Sequence, residues 1–231
     1  DDSTVVAVKS GLKDINALVT IVHGKEKRLS YIGSINSRLD YRNGKIYWTE
    51  IVPGLRWTHE NYSVLKCYDL KEGRIKSITP RQRYLSPSVD KNGKVAAVSR
   101  TTVDGKNQLV LVELEDGKEL FAFQVPGNAF IKELTFTDQD EVVAVAVTDA
   151  GISLLQFTPS SGQWEELLST ASVNITSPVW KDGRIYFESG ANGTNNLYCL
   201  DPADHQVYRL TCARFGAFDP SFTHSGNRLF F

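Results

Sequence analysis

Apolar residues in this chain fall into short runs separated by polar turns that end in glycine, and the alternation recurs along its length. One pattern is a short strand, a turn closing on glycine, and a strongly apolar strand. It occurs as 38–44 followed by Lys45-Ile-Tyr-Trp48, as 86–93 followed by 94–98, as 177–183 followed by Arg184-Ile-Tyr-Phe187, and as 219–226 followed by 227–231. A degenerate copy, 134–140 followed by Glu141-Val-Val-Ala-Val145, has Asp140 where the others have glycine. The markers Gly44, Gly93, Asp140, Gly183 and Gly226 are spaced 49, 47, 43 and 43 residues apart.

A second pattern, strand, tight turn and strand, lies between the markers. Its copies are 64–79 around Glu72-Gly73, 109–123 around Asp116-Gly117, 152–168 around Ser161-Gly162, 197–211 around 201–205, and 17–32 around Gly24. Asn-Gly and Asp-Gly between apolar alternations favour hairpins, because these residues accept the positive φ of tight turns. No helical periodicity of useful length is present.

Each repeat therefore reads as four antiparallel strands, a to d, and the period predicts an all-β fold, a β-propeller of four-stranded blades. Full repeats are expected over roughly 36–85, 86–131, 132–175 and 176–217, with partial ones at 4–35 and 218–231. The strands number about 21, so a five- or six-bladed ring is expected, a single domain cut from a longer protein.

Composition narrows the function classes. The 231 residues carry a formal charge of −1, so no polyanion-binding surface and no nucleic-acid partner is expected. The strongest apolar run, Val142–Val147, is far below the roughly 20 residues that span a bilayer. Cys67, Cys199 and Cys212 cannot all pair, and no CxxC spacing occurs. In the hairpin register Cys199 lies opposite Tyr208, which leaves Cys212 roughly 13 Å along the ladder at about 3.3 Å per residue, too far for a disulfide. Three free thiols are expected.

Ser86-Pro87, Ser177-Pro178 and Asp219-Pro220, each leading into a polar-Gly turn, resemble the repeats of TolB-type propellers. The segments 76–79 and Tyr208-Arg-Leu-Thr211 look like strand d of the same family. The likeness runs from about residue 36 onward. Its motifs are structural: the proline is read as starting strand a and the glycine as closing the a–b turn. The resemblance implies a six-bladed, periplasmic or cell-envelope propeller acting as an interaction scaffold, and related propellers also gate prolyl-oligopeptidase-type peptidases.

Catalytic motifs are missing from the sequence. There is no G-x-S-x-G elbow, no zinc-peptidase histidine pair, and no phosphate- or dinucleotide-binding glycine loop. Asp90-Lys-Asn-Gly93 is a hairpin turn rather than a calcium loop. The chain alone is expected to be non-catalytic, with no cofactor and no metal. The alternatives are a gate for a peptidase domain elsewhere in the polypeptide and a lactonase-like propeller holding a metal in its channel.

Geometry directs attention to one end of the ring. In an up-and-down blade the b–c and d–a loops share one mouth, while the a–b and c–d turns share the other. The first mouth carries the long loop 53–61 and the segments 80–85, 126–131 and 213–217. Long loops on a rigid scaffold carry binding, and Trp, Tyr and Arg are favoured anchors. The candidate binding residues are Arg56, Trp57, His59, Arg81, Arg83, Tyr84, Phe130, Arg214 and Phe215, and the expected partner is a protein or peptide bearing acidic groups. The a–b turn end, with its short turns, is expected to be passive.

Overall fold

A computed structural model describes residues 3–12, 14–54, 61–223, 225–226 and 228–231. The strands run as the repeats require. β1 (Thr4–Gly11), β2 (Asp14–Val22) and β3 (Lys25–Tyr31) form a three-stranded sheet. Four complete blades follow. The first contains β4 (Asp40–Arg42), β5 (Lys45–Pro53), β6 (Asn61–Asp69) and β7 (Arg74–Ser77), and the second β8 (Tyr84–Val89), β9 (Val95–Thr101), β10 (Asn107–Glu113) and β11 (Glu119–Gln124). The third contains β12 (Phe130–Phe136), β13 (Val142–Thr148), β14 (Gly151–Thr158) and β15 (Gln163–Ala171), and the fourth β16 (Ile175–Lys181), β17 (Arg184–Ser189), β18 (Asn196–Asp201) and β19 (Gln206–Arg209). A hairpin of β20 (Ser221–Phe222) and β21 (Leu229–Phe230) ends the series. Together these sheets make a five-bladed propeller. No helix among the described residues is long and apolar enough to cross a membrane.

Burial on both faces of each blade explains the continuous apolar strands. Side chains alternate across a strand, so β13 serves two cores at once. Val142, Ala144 and Ala146 pack toward the second blade with Leu109, Ile131 and Phe157. Val143 and Val145 point the other way, against Ile185, Phe187 and Leu200 of the fourth blade. Tyr47, Leu65 and Cys67 meet Val89 and Ala96 between the first and second blades, and Leu18 and Ile32 meet Ile46, Trp48 and Tyr68 beside the amino-terminal sheet. Each fully buried Val or Leu contributes roughly 1.5–3 kcal/mol of transfer free energy.

The turn chemistry follows the markers. Gly93 and Gly183 sit at φ 70° and 80°, and Asp140 occupies the same left-handed position at φ 62° in the degenerate repeat. His205 does likewise in the c–d turn of the fourth blade, at φ 57°, where Nδ1 also lies 2.9 Å from the Leu167 carbonyl. Cys199 pairs with Tyr208, and Cys67, Cys199 and Cys212 are all free thiols.

The Ser-Pro motif has a different role from the one read in the sequence. Strands β8 and β16 begin at Tyr84 and Ile175, ahead of the prolines, and the ladder slips between Leu85 and Ser88 and between Thr176 and Val179. Ser86, Ser177 and Asp219 take φ of 48°, 55° and 51°. At Ser86-Pro87 and Ser177-Pro178 the motif thus makes a bulge that bends the inner strand, and proline is tolerated there because the ladder is already interrupted. At Asp219-Pro220, by contrast, strand β20 begins at Ser221, directly after the proline, as the sequence reading has it.

The segments around these motifs are where neighbouring blades are tied together. Asp40 accepts the Val89 N–H at 2.6 Å, Glu133 accepts the Ser177 N–H, and Glu188 accepts the Asp219 N–H at 2.6 Å. The Ser86 hydroxyl donates to the Lys132 carbonyl at 2.6 Å. Ser88 donates to Asp40 at 3.2 Å and accepts the Phe136 N–H at 3.0 Å, linking three consecutive blades. Arg38 reaches across to the Pro220 carbonyl at 3.1 Å and so joins the first blade to the last hairpin.

Candidate functional site

The d–a segment 80–83 is fixed to the start of β6 by a single bridge. Ser63 and Gln82 exchange main-chain hydrogen bonds of 2.7 and 2.8 Å, and the Ser63 hydroxyl donates to the Tyr84 carbonyl at 2.6 Å. Arg81 and Arg83 flank this bridge, and both are exposed.

Loop 211–217 is held by Asn196. Its Oδ1 accepts the Thr211 hydroxyl at 3.0 Å and the Ala213 N–H at 2.8 Å, while the Thr211 hydroxyl oxygen accepts the Leu197 N–H. Arg214 and Phe215 project from this tethered loop. The guanidinium sits 5.2 Å from the ring centre, and Phe215 is 85% exposed. Arg81, Arg83 and Arg214 make no ion pair among the described residues. The up-and-down strand order puts them at one end of the ring.

Phe130 is half-buried. It lines a shallow cavity of about 650 Å³ with Asn107, Asn128 and Asp149 at the same mouth. Asn128, left-handed at φ 56°, fixes this corner by accepting the Asn107 N–H at 2.8 Å and donating to the Gly105 carbonyl at 3.0 Å. Arg56, Trp57 and His59 lie outside the described residues.

Tyr84 is a correction to the sequence reading. It is 1% exposed, packed among Val98, Val110 and Val112, and its hydroxyl donates to Glu119 at 2.5 Å. Burial and the Glu119 carboxylate push the phenol well above its usual range. Arg100 also holds Glu119, at 2.6 Å. Tyr84 is therefore core, because strand β8 begins two residues before the Ser-Pro step and draws the ring inside.

The opposite end is not the plain surface expected from its short turns. A cavity of about 860 Å³ opens there, with the turn residues Asn43, Lys91, Asp138 and Lys181 in its lining. Inner strands rather than turn length give it depth. Tyr41, Phe136, Trp180 and Phe222 all contribute to its wall, and in the sequence each stands three or four residues before a marker. An aromatic residue at that recurring position is the signal in the repeats that marks this wall.

Charges around this funnel are mostly engaged. Trp180 donates its indole N–H to Asp138 at 3.0 Å, Lys91 donates to the Asp138 carbonyl at 2.7 Å and pairs with Asp140 at 3.4 Å, and Arg42 donates to the Val89 carbonyl at 3.2 Å. Burial raises the Asp40 carboxyl above its usual value, against the opposing pull of Arg42. No group of three or more His, Cys, Asp or Glu able to hold a metal ion occurs among the described residues.

No known protein family and no curated protein matches the sequence. Solved structures do match the fold. TolB from Acinetobacter baumannii superposes with a TM-score of 0.72 at 14% identity, covering 98% of this chain and 57% of that one. The tricorn protease gives a TM-score of 0.64 at 15% identity over 92% of this chain and 24% of its own. A nidogen/laminin complex gives 0.62 at 12% identity, over 99% and 79%. At these identities the likeness is one of fold: a β-propeller consistent with TolB-type repeats. The chain spans little more than half of the TolB chain and about a quarter of the tricorn protease chain.

Proposed function

We propose that this chain is a non-catalytic propeller module that binds a protein or peptide at the b–c/d–a mouth. The observation behind this reading is the set of exposed arginines without ion-pair partners among the described residues, Arg81, Arg83 and Arg214, at the same mouth as the outward-facing Phe215. A rigid ring of loops costs a partner little ordering on the propeller side, and guanidinium groups select carboxylates by bidentate pairing. The expected partner is accordingly an acidic peptide segment or protein surface. A cell-envelope location, implied by the TolB-type resemblance, belongs to the same reading.

Charge reversal tests it. Changing Arg81, Arg83 and Arg214 to Glu, with Phe215→Ala as a separate variant, is expected to abolish cross-linking to the native partner in whole-cell extracts. Thermal melts must stay unchanged. Retention of the partner by the triple variant would sink the reading.

A second reading is favoured by the funnel at the opposite end together with the fold likeness to the tricorn protease. Here the propeller would gate a catalytic domain carried elsewhere in the polypeptide. Loss of partner or substrate passage on Trp180→Ala and Tyr41→Ala, with the arginine variants unaffected, would select it.

A further inference from the structure

The outer edges of the blades are not equally protected. Strands β3, β7, β11, β15 and β19 each end a sheet and are hydrogen-bonded on one side only. A bare edge is a template for another strand, and proteins guard such edges with charge, brevity or bulges. Lys27 and Arg28 guard β3, Lys76 guards the four-residue β7, Glu165 and Glu166 guard β15, and Arg209 guards the four-residue β19.

Strand β11 lacks a free charge to guard it, and its one bulge, at Leu120, sits near its start and leaves Phe121–Gln124 in regular register. Its sequence is Glu-Leu-Phe-Ala-Phe-Gln, and the one charge, Glu119, is already held by Arg100 and Tyr84 of the same blade. Leu120, Phe121 and Ala122 are exposed, Phe121 to 62%. The Phe121 ring stacks on Phe123 with centres 5.9 Å apart, and Phe123 continues to Phe157 at 4.6 Å. An aromatic file therefore runs from the core to an unpaired sheet edge.

We propose that β11 pairs with β11 of a second copy of this chain, antiparallel, across a two-fold axis. Charge selects this occupant. The same symmetric pairing at β15 would bring Glu165 and Glu166 close to their own copies, and at β3 or β7 it would crowd cations, whereas β11 brings no free charge. A formal charge of −1 on the whole chain leaves little long-range repulsion between copies.

The faces of the sheet fix the register. A two-fold axis perpendicular to a sheet keeps each face on its own side, so opposed residues must share a face. Placing Ala122 on the axis satisfies this and lets the small side chain meet itself. Phe121 then lies opposite Phe123 of the second copy, extending the aromatic file across the joint, while the bulged Leu120 falls outside the regular pairing. Two four-stranded blades become one eight-stranded sheet.

Sedimentation velocity on the chain from about 1 to 100 µM should show a concentration-dependent monomer–dimer equilibrium. Phe121→Lys and Ala122→Lys should each weaken it at least about tenfold with unchanged circular dichroism, while Tyr208→Lys on β19 leaves it intact. In a Cys212→Ser background, Ala122→Cys should form a covalent dimer on mild oxidation, because directly opposed Cα atoms lie about 4.5–5.5 Å apart, within disulfide range. A monomer at every concentration, no covalent dimer from the Ala122→Cys variant, or a dimer indifferent to both lysine substitutions would overturn the proposal.

Discussion

Glu188 and Asp219 are joined across a blade boundary: one carboxylate oxygen accepts the Asp219 N–H at 2.6 Å and the other accepts the Thr176 hydroxyl at 3.2 Å. Glu133 and Ser177 repeat the relationship one blade earlier, and Asp40 and Val89 repeat it near the start of the ring. Hydrogen bonds to an ionised acceptor are worth about 1.5–3 kcal/mol each. Glu133→Ala and Glu188→Ala are therefore each expected to destabilise the fold by about that amount, lowering the melting temperature by roughly 2–4 °C per kcal/mol in a domain of this size. Calorimetry of the two variants checks this. An unchanged melt would mean that the apolar clusters alone hold the blades together.

Glu50 should make stability depend on pH. Burial would raise its carboxyl, but the Lys66 ammonium, the Gly33 N–H and the Trp48 indole N–H outweigh burial and hold it below the usual 4.5. A depressed folded value contributes stability that is present above pH 4.5 and is lost as the pH falls through the folded value. Glu50→Gln is expected to cost about 1–3 kcal/mol at pH 7, with the difference from wild type shrinking in acid. Urea titrations at pH 7 and pH 4 read both numbers.

Asp40 carries the opposite sign. Its folded value is raised by burial, so keeping it ionised costs stability, and that cost grows as the pH rises from 3.8 through the folded value. Asn at this position retains a carbonyl to accept the Val89 N–H and removes the buried charge. Asp40→Asn should be at least as stable as wild type at pH 7, and Asp40→Ala less stable by about 1–2 kcal/mol. A melt in which Asn is as damaging as Ala would refute this assignment.

Thiol chemistry offers an independent check on the fold. Cys212 is exposed, whereas Cys67 and Cys199 are buried and burial pushes both thiols up. One fast-reacting thiol is expected in the native chain and three after denaturation. Two fast thiols, or fewer than three in total, would contradict the blade packing around Cys67 and Cys199.

The repeating markers made the propeller legible, because turn geometry is local: Gly93, Gly183 and even Asp140 answer to the same left-handed requirement. What lay beyond the sequence was pairing. Ser86-Pro87 reads as a strand start, since proline suits one, and only the slipped ladder between Leu85 and Ser88 shows it as a bulge. Tyr84 reads as a loop aromatic until that same strand places it in the core. Arg81, Arg83, Arg214 and Phe215 are exposed at the expected end of the ring, but the funnel at the other end arises from strands that lie far apart in the chain.

The bond from Arg38 to the Pro220 carbonyl spans 182 residues, whereas the joints made by Asp40 and Glu133 span 49 and 44. Loop-closure entropy grows with the logarithm of length, so this one contact costs about 1 kcal/mol more to bring together than its neighbours. During synthesis the shorter joints can close in order as each blade emerges, and the long one must wait for the last hairpin. Removing the Arg38 side chain should consequently speed unfolding and leave the refolding rate almost untouched, the kinetic mark of a contact made after the barrier.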